Sequence, residues 1–280
     1  MSVLTDIPRE RDPSGGPGAA RTGHRGSSGD GRESGRVATI VPPRSVADQS
    51  VTALGGPWSI LALQRADHVR LDRLMDRARA TVRAGGREHA VALRAVARLV
   101  FTHAFAEESV LFPAARRVLP EGDPLTLRIE SEHQEVDELV ARLDRSSSDD
   151  PDHEELMRET FAVLDRDVRS EEDELLPRLQ QELSARRLRM LGLAWLVLRR
   201  TAPTRPHPIV SRRPPGQALS ALPLTVLDRT RDRLQQLDEL TRGRLTPALD
   251  AVDALLARSA GAVERFPLLR RGERPETSRA

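Results

Sequence analysis

Apolar residues in the middle of the chain recur at helical spacing, and the exceptions to that pattern are polar in a regular way. Leu61, His68, Leu71 and Met75 share one face of a first segment. Leu93, Val96, Val100, His103, Glu107 and Val110 form a stripe on a second. Leu125, Ile129, His133, Val136, Val140 and Leu143 mark a third, and Phe161, Leu164, Asp167, Glu171 and Leu175 a fourth. Steps of three and four residues predict amphipathic helices. The segments are separated by "AGGR" (84–87), "PEGDP" (120–124) and "SSSDDP" (146–151), stretches that stop helices. Four such helices with short connections predict an all-α fold, an up-down-up-down four-helix bundle over residues 57–185.

The four segments are one hairpin written twice. "DHVRLDRLM" (67–75) matches "EHQEVDELV" (132–140), and "HAFAEESVLFP" (103–113) matches "DVRSEEDELLP" (167–177). His68 and His103 stand 35 residues apart, His133 and Asp167 34. The second copy therefore opens its last motif with an aspartate where the first has a histidine.

Polar side chains on an apolar stripe cost several kcal/mol (roughly 2–7 for a neutral group) unless paired or bound to metal. Their positions supply the reason. The midpoints between successive polar positions fall at 85.5, 118 and 150, inside or within two residues of the predicted turns. Equal rise on either side of each turn brings His68, His103, His133 and Asp167 to one level of the bundle. Glu107 and Glu171 lie one turn further on the same faces. A lone histidine on an apolar face is more often a satisfied core residue, and a lone H-x-x-x-E an ordinary helical pair. Here three histidines and two glutamates agree in phase, level and repeat position, and metal binding is the better reading. Imidazoles and carboxylates without thiolates suit Fe, Mn or Zn, and carboxylates able to bridge suit a pair of ions.

Other polar residues fit this scheme less well. Asp72 and Asp137 occupy one repeat slot as outer partners or surface charges. Glu108 and Glu172 lie at the stripe edge and are expected to be solvated. His89, near a helix start, is expected to be exposed; His153 starts the fourth helix and His24 lies in the N-terminal segment, and none of the three is a ligand candidate. A ferritin-like site needs E-x-x-H on two helices. "ESEH" (130–133) fits once, but its counterpart "RADH" (65–68) carries Arg65. No phosphate loop, nucleophile elbow or H-E-x-x-H zinc motif occurs.

Outside the bundle the pattern changes. Residues 1–56, rich in Gly, Ser, Pro and Arg, hold no apolar period and predict a disordered tail rather than a signal peptide. Residues 186–222 form an Arg/Pro-rich helix and linker, in which Trp195 marks an apolar face able to dock on the bundle. "APTRPHPIVSRRPPG" (202–216) must be extended or irregular, with His207 structural or exposed. Helical period returns over 223–268, at Leu224, Leu227, Leu234, Leu237 and Leu245, then Leu249, Val252, Leu255 and Leu256. Pro247 marks a break or a first turn, and 269–280 reads as a second tail. The longest apolar run, "MLGLAWLVL" (190–198), is about half of what a bilayer needs, so no membrane association and a cytoplasmic location are expected. All 44 basic residues are arginine, against 42 acids, for a net charge of +2, and no nucleic-acid partner is implied. The absence of cysteine and tyrosine excludes disulfides, thiolate sites and a tyrosyl radical.

"DHVRL", "HAFAEESVLFP", "EHQEV" and "DVRSEEDELLP" together resemble the blocks of the hemerythrin-like, or HHE cation-binding, family. "APTRPHP" (202–208) is similar to a segment that often follows this domain in actinobacterial members. The resemblance implies a four-helix bundle with a non-heme di-iron centre that binds or senses O2, NO or peroxide, or handles iron. It matches His68, His103, Glu107, His133 and Glu171 to ligands. The fourth-helix histidine is replaced by Asp167, which either ligates, giving a carboxylate-rich site, or leaves one metal position weakened. Asp137 stands where some members have a second histidine. A di-iron oxidase or peroxidase-like enzyme and a degenerate, purely structural bundle are the competing readings. The C-terminal helices are expected to serve a protein partner or self-association.

Overall fold

The computed structural model describes residues 44–241, 246–272, 274–275 and 277. Residues 1–43 of the expected tail, His24 among them, and Leu245 lie outside the described residues. Among the described residues there is no strand, and the architecture is all-α.

Helix α1 (Ile60–Thr81) reverses into α2 (Gly86–Ala106) through Gly85 and Gly86, at φ +60° and +62°. Only glycine adopts that region without strain. Thr81 Oγ1 lies 3.2 Å from His89 Nδ1 beside this turn, and Asp67 lies 3.2 Å from His103 farther along, so the two helices run antiparallel. α2 continues through one π turn (Glu107–Leu111) into α3 (Phe112–Val118). α4 (Gly122–Leu143) returns alongside, with Arg116 donating to Thr126 (2.8 Å) near the turn and Glu108 facing His133 (2.9 Å) beyond it. α5 (His153–Ser170) doubles back in the same way, Ser146 meeting His153 at 2.7 Å and Ser170 meeting Glu132 at 3.2 Å. A second π turn (Glu171–Leu175) joins α5 to α6 (Leu176–Glu182).

The bundle core has two apolar blocks. One contains Leu61, Leu111, Phe112, Ile129, Leu175 and Leu176. The other contains Leu71, Met75, Val96, Val100, Val136, Phe161 and Leu164. On every helix the polar stripe residues fall between the two: Leu61, His68, Leu71 on α1, and Ile129, His133, Val136 on α4. Each buried aliphatic side chain contributes about 1.5–3 kcal/mol, and the layer between the blocks forgoes that gain.

The first block extends further along the chain than the apolar period shows. Val46 and Leu54, inside the segment expected to be tail, are fully buried in it. A short 3-10 turn (Val46–Asp48) is tied to the second π turn by Ser45 Oγ, which donates to the Glu172 carbonyl. α7 (Ala185–Thr201) covers the same end, with Trp195 fully buried. At Gly192 a Cβ would lie 2.2 Å from the Trp58 carbonyl oxygen, so this close approach requires glycine.

Residues 202–215 are non-helical and cross the bundle as a strap. α8 (Gly216–Leu240) begins ahead of Pro223, where the apolar period starts, and carries that proline inside it. α9 (Thr246–Glu264) has Pro247 in its first turn. Described residues of the expected C-terminal tail also pack: Leu269 is buried, and Arg274 donates to Asp123 (2.7 Å). No described helix is long and apolar enough to cross a membrane.

Candidate metal centre

The six stripe residues meet. His68 comes from α1, His103 from α2, His133 from α4 and Asp167 from α5, while Glu107 and Glu171 are the first residues of the two π turns. In each π turn the chain carries one more residue than an α turn, and the carbonyl of the leading glutamate accepts from the N–H five residues on, at Phe112 and Leu176. The cause is legible in the sequence. Pro113 and Pro177 have no N–H, and in a regular helix each ring would press on the carbonyl four residues back. Widening the turn relieves that clash, and such π bulges are common at functional sites.

Every imidazole presents Nε2 to the centre. His68 Nε2 lies 3.1 Å from Glu171 Oε2, and His103 Nε2 lies 3.9 Å from that oxygen and 3.3 Å from Glu107 Oε1. On the other side, His133 Nε2 lies 3.5 Å from Asp167 Oδ1, 3.6 Å from Glu107 Oε2 and 3.8 Å from Glu171 Oε1. Each glutamate thus divides its oxygens between two groups. One is His68 with His103; the other is His133 with Asp167. Donor atoms of His68, His103 and Glu171, and those of Glu107, His133 and Glu171, lie within 4.8 Å of one another.

The inward atoms are buried and lack hydrogen-bond partners: Nε2 of His68, His103 and His133, Oε2 of Glu107, Oδ1 of Asp167 and both oxygens of Glu171. An unsatisfied buried polar group costs about 1–3 kcal/mol, and seven at one point indicate that something else satisfies them. Imidazole nitrogens and carboxylate oxygens are the donor set that Fe, Mn or Zn would accept, so a cation there would satisfy these atoms.

The outward ring nitrogens are all held. His68 Nδ1 meets Glu172 (2.8 Å), His103 Nδ1 meets Asp67 (3.2 Å), and His133 Nδ1 meets Glu108 (2.9 Å). A carboxylate can only accept, so Nδ1 donates outward and Nε2 is the nitrogen left to face the centre. The second glutamate of each E-E pair holds the histidine of the opposite hairpin. Glu108 is 4 % exposed and Glu172 has 13 % of its side chain exposed, which corrects the expectation that both are solvated. Asp137 is buried against Arg212, whereas Asp72 is exposed.

Charge follows this arrangement. Burial lowers the His68 imidazolium, but the neighbouring Glu171 and Glu172 carboxylates outweigh it and raise His68 to about 9. Burial likewise opposes His103 and His133, yet Glu107 and Asp67 around the first and Asp167 and Glu108 around the second raise both well above the ordinary value. Burial holds Asp167 well above the usual carboxylate range against the pull of His133, with Glu171 and Glu107 adding to it. Glu171 lies well below that range because its three histidine neighbours overcome burial. In the free cluster positive charge resides on protons, and a bound cation takes their place.

Around the centre, Gln64 donates to Glu107 Oε1 (2.7 Å). Trp195 stands edge-on to His103, centroids 5.5 Å apart, and Arg199 lies over its ring while pairing with Asp67 (2.7 Å). Phe112 stacks on His133 at 5.6 Å. A cavity of about 80 Å³ adjoins the cluster, bordered by His68, His103, His133, Asp167, Arg212 and Gln217. It exceeds the space one water needs, about 10–15 Å³ by the same measure. Sequence reasoning missed Gln64, Asp67, Arg199, Arg212 and Gln217. For Asp67 the acid before each repeat histidine was a usable signal; for the arginines there was none. Glu130, which a ferritin-like motif would need, instead pairs with Arg116 and Arg213.

His89 and His153 are both buried, against the expectation of exposure for His89. Their Nε2 atoms approach to 2.9 Å at the turn end of the bundle, far along α2 and α5 from the cluster.

Residues 59–179 match the family model of the hemerythrin HHE cation binding domain, so the resemblance holds over that span, less than half of the chain. An uncharacterized hemerythrin-like protein of Schizosaccharomyces pombe is 23% identical over 135 residues, covering 48% of this chain and 66% of that protein. No solved structure matches.

Proposed function

We propose that the bundle holds two metal ions, iron in the first instance and Mn or Zn as alternatives, and through them binds or senses O2, NO or peroxide, or takes part in handling iron. The observation that carries this reading is the division of Glu107 and Glu171 between two donor groups whose inward atoms have no other partner. His68 and His103 would hold one ion and His133 and Asp167 the other, with both glutamates reaching each.

Iron bound there supplies a redox-active Lewis acid with coordination positions left open to a small ligand. The chain does the rest. Glu172, Asp67 and Glu108 fix the tautomers and ring directions of the three histidines. The apolar blocks on either side exclude bulk water, and the adjoining cavity admits a ligand of few atoms. Asp167 in place of an imidazole adds an anionic oxygen donor. That favours the higher oxidation state and tilts the site from reversible carriage toward sensing or a one-way response.

Metal analysis of protein purified from iron-supplemented cells is expected to give about two irons per chain, as in other bundle-core dimetal sites, with near-UV absorption bands. His103→Ala is expected to lower the iron content. Wild-type protein without bound metal, or equal content in His103→Ala, would refute the assignment. Rapid mixing of the reduced protein with O2, NO and peroxide then separates stoichiometric binding from turnover.

A further inference from the structure

We propose that the strap and the first turn of α8 are a working part of this centre: Arg212 of the strap and Gln217 of α8, acting through Glu108, position His133, so that occupancy of the His133–Asp167 position and docking of the strap favour each other. This rests on the dimetal reading above and adds to it a means by which the C-terminal segment and the centre communicate.

The two histidines held by an E-E pair are supported differently. Among the described residues, the Glu172 carboxylate meets only His68, near the bundle rim. Glu108 is enclosed. Its Oε1 accepts from His133 Nδ1 (2.9 Å) and from Arg212 Nη1 (2.8 Å), and its Oε2 accepts from Gln217 Nε2 (3.0 Å). Arg212 is buried and spans two carboxylates, since its Nη2 also reaches Asp137 and, at 3.2 Å, Gln134 Oε1. A planar guanidinium offers each acid its own nitrogen, whereas an ammonium would have to serve both from one. Without it, Glu108 and Asp137 are two buried carboxylates with no cation between them. Glu108, no longer held by the guanidinium, is then free to rotate away from Nδ1, and that rotation releases the His133 ring.

Other contacts hold the strap in place, so the effect of Arg212 is separable from docking itself. Arg213 grips Glu130 with Nε and Nη2 (2.8 and 2.7 Å) and reaches Asp123 at 2.9 Å. Ser211 N–H donates to the Leu269 carbonyl (3.1 Å), and Gln134 donates to the Pro208 carbonyl (3.1 Å). Residues 79 and 84 positions from His133 thereby set the direction of that α4 histidine. Coupling of this kind is reciprocal: an ion that requires His133 in place stabilises the docked strap by as much as the docked strap tightens the ion.

The test uses the full-length chain loaded with ferrous 57Fe, with chelator competition, Mössbauer spectra and trypsin digestion as readouts. In wild type, iron is expected to slow cleavage at Arg212–Arg213, the one arginine bond of the strap not followed by proline. Arg212→Met and Gln217→Leu are each expected to weaken one of the two irons by about 10–100-fold, the usual range for loss of an outer-layer partner, and to shift one iron's quadrupole doublet while leaving the other. Arg212→Lys is expected to recover only part of the affinity. Arg213→Met, which removes another strap contact without touching Glu108, is expected to weaken the same iron less than Arg212→Met does. If Arg212→Met fails to fold, Gln217→Leu decides alone. Two irons bound with wild-type affinity and spectrum in the folded variants overturn the positioning role and leave the dimetal reading intact. A wild-type chain that takes up no iron overturns both.

Discussion

Asp167 shows how one substitution propagates through a duplicated site. In the first hairpin Asp67 accepts from the outer nitrogen of His103. Its counterpart Glu132 has no imidazole to hold, because Asp167 stands at the matching position, and it turns to Ser170 (3.2 Å) and Arg166 (3.8 Å). Asp167→His would restore a ring with Glu132 available to accept from its Nδ1. This variant is expected to retain or tighten the second iron, read by chelator competition; loss of that iron would show that the shorter carboxylate is required. The six inward residues were legible because helical period, repeat and level all agree on them. Their outer partners were not. Glu108 and Glu172 sit at a stripe edge only if the helix is regular, and the π turns remove that premise. Arg212 is 104 residues from Glu108, beyond any local pattern.

At the scale of elements, the π turns set the centre, and their prolines set the π turns. Pro177→Ala gives residue 177 an N–H to offer the carbonyl of Asp173 and removes a residue that costs a helix interior about 3 kcal/mol. The metal-free protein is therefore expected to melt higher. Relaxation toward a regular α turn would rotate Glu171 by up to about 100°, and iron uptake is expected to fall. Melting curves and iron content measured on the same preparation check both signs, and unchanged iron content would show that the widened turn survives without proline. The four bundle helices follow directly from the apolar period. Val46 and Leu54 escaped it because two isolated apolar residues in an irregular lead-in have no period to display. His89 and His153 escaped it because their partnership crosses two helices at the turn end.

For the whole molecule, the strap and the C-terminal helices close over the bundle through ion pairs as well as apolar contact. His207 is central among them, lying 3.0 Å from Asp228 and 2.9 Å from Glu264. Burial lowers its pKa, but these two carboxylates outweigh burial and raise it to about 9. The folded value exceeds the unfolded one, about 6.5, so the stabilisation is fully present below pH 6.5 and is lost as pH rises through about 9. Thermal stability and protection of the strap from protease are expected to decline over that interval. His207→Gln is expected to remove the His207 part of that decline, and a decline unchanged in the variant would assign it to other groups.

Trp195 gives the molecule a built-in optical gauge. The chain has two tryptophans and no tyrosine. Trp195 is sealed from solvent with its edge on His103, and Trp58 is 55 % exposed. Paramagnetic iron on His103 should darken the blue-shifted emission of the sealed indole and leave the red-shifted emission of the exposed one. Titration of iron into the metal-free chain should then appear as a red shift of the residual fluorescence, with no label attached.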